Sequence, residues 1–327
     1  DLIGFSVTFT GRQITSALDV ARHFREKGSQ ATFVWGGVHP TILPEETAQN
    51  EYVDFVVRGE GEETLHQLIQ TLSESGNLRE VQGITYIENG EIVSTPDRPF
   101  LDMNTLPLLP YQLLKNPDKY SELQRKPSIV SIGTSRGCPF TCTFCYVDEV
   151  HKRTFRPMKP ERVIEEIKHI KKFFPVDLLI ANDDLLFTDR KRIERIAELI
   201  IEENLNIEWS GGIRFSMAAK FSDDFLDLLI KSGFRNPSFG GESGSTKVLQ
   251  TIKKGLTADD MIVTARKLKA YKEIQFYSAY MFGFPDESVN DVLDTLKLID
   301  KVSEANPRAW CGFSIYPPFP GTPLYPR

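Results

Sequence analysis

The feature that most constrains the fold is a regular alternation of strand-like and helix-like segments from residue 128 onward. Short apolar runs predict strands near residues 129–133, 177–182, 207–212, 235–240, 274–282 and 309–316. Segments with apolar residues at helical spacing lie between them, near residues 160–173, 189–204, 222–232, 258–272 and 287–303. This order predicts a partial (β/α)6 TIM-like barrel, two strands short of the complete eight-stranded form.

The first eighty residues repeat the alternation on a smaller scale. Strands are predicted at 2–7, 31–35 and 53–57, and helices at 14–27, 44–49 and 62–75. Strand–helix–strand repeats place the strands parallel with right-handed crossovers, so a Rossmann-like parallel sheet is expected. The pair Asn89-Gly90 between two further apolar runs predicts a β-hairpin.

Prolines divide the chain into parts. Residues 96–127 contain six prolines and no apolar periodicity, which is typical of a linker. We therefore expect a Rossmann-like domain at 1–95, a proline-rich linker at 96–127 and the barrel at 128–327. The chain opens inside a strand and without Met, so we expect the first domain to be N-terminally incomplete and a C-terminal extension to follow the barrel.

Composition narrows the class of protein. The 327 residues carry 45 acidic and 39 basic side chains, a net charge of −6, which argues against nucleic acid as a partner. No apolar run reaches the ~18 residues of a membrane span, and no signal peptide is present, so a cytoplasmic protein without a membrane partner is expected. Of the four cysteines, Cys311 stands alone in the last predicted strand, where we expect a core residue. The other three cluster, which indicates metal ligands in a reducing compartment.

The clustered cysteines form a C-x3-C-x2-C loop directly after the first barrel strand: Cys138, Cys142 and Cys145. Three thiolates on one loop can hold three irons of a cubane cluster and leave the fourth iron open to a small molecule. A zinc site with His151 or Asp148 as the fourth ligand is one alternative. Cysteines that are simply buried as small apolar residues are another.

This loop, with an aromatic residue before its last cysteine, resembles the signature of radical S-adenosylmethionine (radical SAM) enzymes. Segments that follow the later strands resemble the family in the same order, at residues 182–184, 211–214, 241–245, 283–287 and 320–323. The resemblance implies a [4Fe-4S] cluster that cleaves SAM to a 5′-deoxyadenosyl radical. It also implies a set of SAM-binding residues: Phe144, Asp183, Arg214, Gly240, Gly241, Glu242, Ser243 and Gly283.

Some of these residues have structural alternatives. Asp183 and Asp184 are alternatively an N-cap pair, and Glu242 an acid at a helix N-terminus. Arg214 pairs either with the SAM carboxylate or with two loops that it bridges. The sequence assigns no catalytic residue.

The first domain carries a second resemblance. Ser6-Val7-Thr8 lies 27 residues before Gly36-Gly37, a spacing similar to the S-x-L and G-G elements of cobalamin-binding domains, with Thr8 in place of the Leu. Such a domain before a radical SAM core resembles the B12-dependent class of the family. The implied cobalamin-binding residues are Ser6, Thr8, Gly36, Gly37, Val38, His39, Gly59, Glu60 and Gly61.

Simpler interpretations of these residues remain open as well. Ser6 and Thr8 are alternatively ordinary strand residues, and the glycine pair a turn between strand and helix. Glu60 and Glu62 are alternatively solvated charges at a helix N-terminus. For His39 we expect an orienting or capping role rather than ligation of cobalt.

The combined resemblance implies a cobalamin-dependent radical SAM methyltransferase in which cobalamin carries the methyl group, with C-methylation of an unactivated carbon as the first expectation. Alternatives are a cobalamin-dependent radical SAM cyclase or other oxidative ring-forming enzyme, and a radical SAM enzyme whose Rossmann domain is vestigial and cobalamin-free. A methylthiotransferase would normally need further cysteines, which residues 1–127 lack. A zinc-binding interaction module is the non-enzymatic alternative. Expected partners are a small-molecule substrate and a reducing electron donor such as flavodoxin or ferredoxin.

Overall fold

The computed structural model describes residues 1–8, 11–115 and 128–325, so residues 116–127 of the predicted linker lie outside the described part. The chain divides into two compact units. The first comprises Asp1–Leu101, Phe144–Lys152 and Pro318–Pro326, and the second comprises Asp102–Thr143 and Arg153–Pro317.

The first unit is built on a five-stranded sheet whose strands follow one another in chain order. The strands are β1 (Leu2–Ser6), β2 (Thr32–Gly36), β3 (Phe55–Val57), β4 (Ile84–Glu88) and β5 (Glu91–Ser94). Pairing is parallel from β1 to β3 and antiparallel from β3 to β5, so the predicted hairpin at Asn89-Gly90 is confirmed. The helices are α1 (Arg12–Glu26), α2 (Val38–Ile42), α3 (Pro44–Ala48), α4 (Gly61–Ser73) and α5 (Val147–His151), with a 3-10 turn at Leu78–Glu80.

Both faces of this sheet are covered. Successive side chains of a strand point to opposite faces, and β2 contributes Phe33 and Trp35 to one apolar cluster but Val34 to another. Ala21 of α1 belongs to the first cluster and Leu68 of α4 to the second. Burial on both sides explains why β2 is apolar at consecutive positions rather than at alternate ones.

The second unit contains a six-stranded sheet in the order β6-β9-β10-β11-β12-β13, with parallel pairing throughout. Strands β7 and β8 form a separate antiparallel pair. The strands are β6 (Ile129–Ile132), β7 (Ser135–Arg136), β8 (Arg156–Pro157), β9 (Leu178–Ala181), β10 (Glu208–Ile213), β11 (Ser238–Glu242), β12 (Phe276–Phe282) and β13 (Ala309–Ile315).

The helices of this unit begin where the sequence supplies caps. Pro160 occupies the first turn of one helix, Asp189 caps the next, and Ser288 and Asp291 form a capping box. The helices are α6 (Pro160–Phe173), α7 (Arg190–Glu202), α8 (Phe215–Ala218), α9 (Asp223–Lys231), α10 (Thr246–Thr251), α11 (Ala258–Lys269) and α12 (Val289–Ala305), with 3-10 turns at Tyr111–Leu113 and Leu186–Thr188.

The expected fold class is confirmed: a Rossmann-like sheet and a parallel six-stranded sheet with intervening helices. The fourth barrel strand begins at Ser238 rather than near 235, because Asn236 takes a left-handed φ of 47° just before it. Cys311 is half-buried in β13 rather than fully inside the core. Among the described residues, none of the helices has the length and apolar character needed to cross a bilayer.

Candidate active site

The cysteine segment follows β6 and β7 in the chain. All four cysteines of the protein are thiols, and Cys142 is the most enclosed of the three in the motif, with 9% of its surface exposed. Within the described ranges, the structure brings no three His, Cys, Asp or Glu side chains together closely enough to hold a metal ion.

Asp183, just beyond β9, fixes the backbone that leads into the cysteine segment. Its Oδ1 accepts a hydrogen bond from Thr134 N at 2.6 Å, and its Oδ2 accepts from Thr134 Oγ1 at 2.7 Å and from Ser135 Oγ. The buried Arg192 donates from Nη2 to Thr134 O at 2.7 Å. Desolvation raises the pKa of the Asp183 carboxyl, and the Ser135 and Thr134 hydrogen bonds oppose that rise. The N-cap alternative is wrong, because Asp189 caps α7.

Three further hydrogen bonds hold the segment on either side of its first two cysteines. Asp184 Oδ2 accepts from Gly137 N at 2.7 Å, directly before Cys138. After Cys142, Thr143 N donates to Ile252 O at 3.0 Å and Thr143 Oγ1 donates to the Thr251 carbonyl. The part of the loop that carries Cys138 and Cys142 is therefore anchored to the segment after β9 and to the end of α10.

Arg214, directly after β10, places a buried cation against this loop. Its guanidinium lies 3.9 Å from the centroid of the Phe140 ring, and its Nη1 is 3.5 Å from Cys142 Sγ. The residue is only 5% exposed, and its Nε and Nη2 are buried without a hydrogen-bond partner. Burial raises the pKa of the Cys138 thiol, and the positive charge of Arg214 acts in the opposite direction.

Glu242, the last residue of β11, forms a buried ion pair. Lys254 Nζ donates to Glu242 Oε1 at 2.6 Å, and both residues are less than a tenth exposed. A Cβ at Gly240 would lie 2.3 Å from Glu242 Oε1, so the glycine leaves room for the pair. Glu242 itself takes a left-handed φ of 64°. The helix N-terminus alternative for Glu242 is wrong, because the next helix, α10, begins four residues later behind the N-cap Ser245.

The neighbours of Glu242 are engaged inside the protein. Ser243 is fully buried, and its hydroxyl lies 3.0 Å from Thr295 Oγ1. A Cβ at Gly241 would lie 2.9 Å from the Tyr280 ring, so this position packs against β12. These contacts shape the carboxyl end of β11.

Two other predicted SAM residues have different surroundings. Gly283 follows β12 with φ of 87°, and its N–H donates to the Glu287 carboxylate. Phe144 is half-buried and belongs, with the segment up to Lys152, to the first unit.

In the first unit, the three predicted cobalamin-binding segments meet at one edge of the sheet, because β1, β2 and β3 are parallel. Val7 N donates to Gly36 O at 2.8 Å, and His39 N donates to Val7 O at 3.1 Å. Gly59 N donates to Thr41 Oγ1 at 2.9 Å, which joins the β3 segment to the β2 segment. The structure therefore brings to one edge of the sheet the residues that end these strands or follow them: Ser6, Thr8, Gly36, Gly37, Val38, His39, Gly59, Glu60 and Gly61.

Gly37 and His39 are tightly packed at this edge of the sheet. Gly37 has φ of 97°, and a Cβ there would lie 2.6 Å from Val7 O, so only glycine fits. His39 Nδ1 is buried and has no hydrogen-bond partner. Burial lowers the pKa of His39, and the nearby Glu46 partly offsets this. The imidazole therefore carries a buried polar atom that no group of the described residues satisfies.

The outer residues of this edge are more exposed. Ser6 is exposed at the end of β1, and Thr8 lies beyond the strand, so the interpretation of Thr8 as a strand residue is wrong. Glu60 precedes α4 and accepts from Leu101 N at 2.9 Å. Glu62 is exposed in the first turn of α4, where a carboxylate is favoured by the helix dipole.

Sequence reasoning missed Lys254 and the anchoring role of Asp184. Lys254 lies in a short Lys253-Lys254-Gly255 stretch after a helix, where a solvated charge is the ordinary expectation. Its burial depends on the gap at Gly240, on a different element, so no local pattern signals it. The position of Asp184 just after a parallel strand was the one sequence signal that could have indicated its anchoring role.

Family comparisons agree with this architecture. The model of the radical SAM superfamily matches residues 132–299, and that of the B12 binding domain matches residues 1–69. An uncharacterized methyltransferase from Pyrococcus horikoshii is 32% identical over 99% of this chain and 68% of its own length. An anaerobic magnesium-protoporphyrin IX monomethyl ester cyclase from Rubrivivax gelatinosus is 25% identical over 92% of this chain and 54% of its own length.

A solved structure shares the fold. The radical SAM methyltransferase TsrM from Kitasatospora setae, solved with cobalamin and a [4Fe-4S] cluster, has a TM-score of 0.81 at 18% identity and covers 99% of this chain and 63% of its own. The resemblance predicted from the cysteine loop and the glycine pair is thereby confirmed at the level of family and fold. This chain belongs to the radical SAM superfamily and carries a B12-binding domain, and these two families imply S-adenosylmethionine, a [4Fe-4S] cluster and cobalamin as its cofactors.

Proposed function

We propose that this protein is a cobalamin-dependent radical SAM methyltransferase that methylates an unactivated carbon of a small-molecule substrate. The observation that carries the proposal is the cysteine segment, anchored through Gly137 and Thr143 and faced by the buried guanidinium of Arg214. The methyltransferase relative, at 32% identity, supports the choice of reaction class.

The side chains fit the cluster by their chemistry. Cys138, Cys142 and Cys145 would hold it, because thiolates are the usual ligands of iron–sulfur clusters and three of them leave one iron without a protein ligand. Arg214 Nη1 lies 3.5 Å from Cys142 Sγ, where an anionic centre would offset the buried positive charge. When bound, the cluster supplies the electron that cleaves SAM to a 5′-deoxyadenosyl radical.

The residues around the strand ends would hold SAM. Arg214 Nε and Nη2 are suited to its carboxylate, since a guanidinium recognises carboxylates through paired donors. Glu242, held by Lys254, presents carboxylate oxygens that can accept from the SAM ammonium or ribose hydroxyls. The other residues proposed for the SAM site are Phe144, Asp183, Gly240, Gly241, Ser243 and Gly283.

The edge of the first sheet would hold cobalamin, which supplies a methyl carrier when bound. Gly37 lets the loop after β2 pack against the Val7 backbone, which fixes the shape of this edge, and the exposed Ser6 hydroxyl can bond polar groups of that ligand. His39 would orient the ligand through its unpartnered Nδ1 rather than ligate cobalt. The other proposed contacts are Thr8, Gly36, Val38, Gly59, Glu60 and Gly61.

A cobalamin-dependent radical SAM cyclase is the second candidate, favoured by the Rubrivivax cyclase relative. The B12 binding model over residues 1–69 supports a working cobalamin domain over a vestigial one. We further propose the domain boundaries at residues 95 and 128, a cytoplasmic location in which the thiols stay reduced, and a flavodoxin or ferredoxin as electron donor.

Anaerobic reconstitution with iron, sulfide and hydroxocobalamin, followed by SAM and dithionite, tests the proposal. We expect iron–sulfur and corrinoid absorption and the release of 5′-deoxyadenosine, measured by liquid chromatography and mass spectrometry. Cys142→Ala should abolish 5′-deoxyadenosine, whereas Cys311→Ala, a matched change outside the motif, should retain it. A colourless protein that binds only zinc would contradict the proposal, and iron–sulfur absorption without corrinoid would contradict its cobalamin part.

A further inference from the structure

Arg214 carries a charge that the described part of the protein does not balance. It is 5% exposed, and within the described residues it forms no ion pair with a carboxylate. A buried cation without a counter-charge is strongly unfavourable, so such a side chain indicates an anion that completes its environment. The groups that the structure places against it are the Phe140 ring and the Cys142 sulfur.

The nitrogens of the Arg214 guanidinium have two kinds of surroundings. Nη1 lies 3.5 Å from Cys142 Sγ, whereas Nε and Nη2 are buried and unpartnered. The Phe140 ring, 3.9 Å from Cζ, holds the plane in position through a cation–π contact. One guanidinium nitrogen is therefore directed at a cluster ligand, independently of what the other two nitrogens bind.

We propose that Arg214 sets the reduction potential of the iron–sulfur centre, by hydrogen bonding to the Cys142 thiolate and by compensating the negative charge that reduction adds. The inference rests on the proposed function, because it requires a cluster on the cysteine motif. Reduction moves one electron from a one-electron donor to the cluster and adds one negative charge without breaking a bond. A buried cation near a ligand sulfur stabilises that added charge, and hydrogen bonds to cluster sulfurs raise the potential.

The test is a redox titration of each variant with dithionite, in which electron paramagnetic resonance measures the fraction of reduced cluster. The samples have matched iron and sulfide content and contain no SAM. Arg214→Gln and Arg214→Met remove the charge, and the Met variant also removes every donor. Each should lower the ratio of reduced to oxidised cluster at a fixed solution potential by at least tenfold, which is about 59 mV for a one-electron couple. Arg214→Lys keeps the charge and should stay within about threefold of the unsubstituted protein.

A matched control is Arg235→Gln, because Arg235 is half-buried in the same unit and donates to the Ile230 and Phe234 carbonyls rather than to the cysteine segment. It should leave the ratio unchanged. Unchanged ratios in loaded Arg214→Gln and Arg214→Met proteins would overturn the inference, and so would a lysine variant as hard to reduce as the neutral ones.

The remaining outcomes are also decisive. If the neutral variants bind no iron, the Arg214→Lys variant tests the inference. A cluster of nearly normal potential in this variant supports a role for the positive charge. Loss of iron from this variant too refutes that role in favour of a purely steric one. Failure of the unsubstituted protein to assemble a four-iron cluster would instead reject the proposed function itself.

Discussion

Lys254 Nζ and Glu242 Oε1 lie 2.6 Å apart, in a pair whose two residues are each less than a tenth exposed. The pair joins the end of β11 to the residues that precede α11, and Gly240 provides the space that it occupies. Glu242 also takes a left-handed φ of 64°, a backbone conformation that a residue with a side chain adopts only at an energetic cost.

Removing the lysine should leave a buried carboxylate without its partner. We expect Lys254→Met to lower the free energy of unfolding by about 3–5 kcal/mol in urea titrations, since breaking a buried pair costs more than the pair contributes. The double variant Lys254→Met with Glu242→Gln should recover part of the loss, because no unpaired charge remains. A loss below about 1 kcal/mol in the single variant would mean that water reaches the pair.

Asp183 should matter for stability and for cluster assembly. Asp183→Ala leaves the Thr134 N–H and the Thr134 and Ser135 hydroxyls without their acceptor, so we expect a loss of about 1–3 kcal/mol. Iron content after reconstitution should fall as well, since this backbone leads into the cysteine segment. Asp227→Ala, an exposed change on α9, is the control and should alter neither measurement.

Stability should fall in acid through Asp291. This carboxylate accepts hydrogen bonds from Ser245 Oγ at 2.6 Å and from the hydroxyl and N–H of Ser288, which hold its pKa well below the usual range. The pKa of Asp291 is lower in the folded protein than in the unfolded chain, where an Asp has a pKa of about 3.9. Its contribution to the free energy of unfolding is therefore complete above that pH and is lost as the pH falls further. The stability difference between the unsubstituted protein and Asp291→Asn should therefore shrink between about pH 4 and pH 2. A difference that stays constant over that range would contradict this. Asp294→Asn, an exposed change on the same helix, is the control.

Gly37 should tolerate no side chain. Its φ of 97° and the 2.6 Å approach of a Cβ to Val7 O predict that Gly37→Ala costs about 1–3 kcal/mol and reduces retention of corrinoid on a desalting column. Gly4→Ala is a matched control in β1, because a Cβ there would meet nothing within 4 Å. Equal stability and equal corrinoid retention in the two variants would show that the loop after β2 can rearrange.

Periodicity and capping were sufficient to predict the longer elements. The helix predicted near 160–173 is present as Pro160–Phe173, because Pro160 favours the first turn and apolar residues then recur at helical spacing. The short helices Val38–Ile42 and Phe215–Ala218 escaped prediction, since four or five residues rarely establish a period, although the equally short Pro44–Ala48 was predicted.

The candidate site was predictable in position but not in detail. The strand-end rule indicated which loops carry Asp183, Arg214 and Glu242. The rule did not reveal that Asp183 accepts hydrogen bonds from Thr134 and Ser135, or that Glu242 pairs with Lys254. In each case the two partners lie on different elements, 12 to 49 residues apart in the sequence. Contacts of this kind depend on packing that no single segment encodes.

The anchoring of Gly137 and Thr143 has a consequence for maturation. With these residues tied to Asp184 and Ile252, the segment between them loses little conformational entropy when it captures a metal. Iron and sulfide can then bind after the chain has folded. Loss of the metal does not require the surrounding polypeptide to unfold.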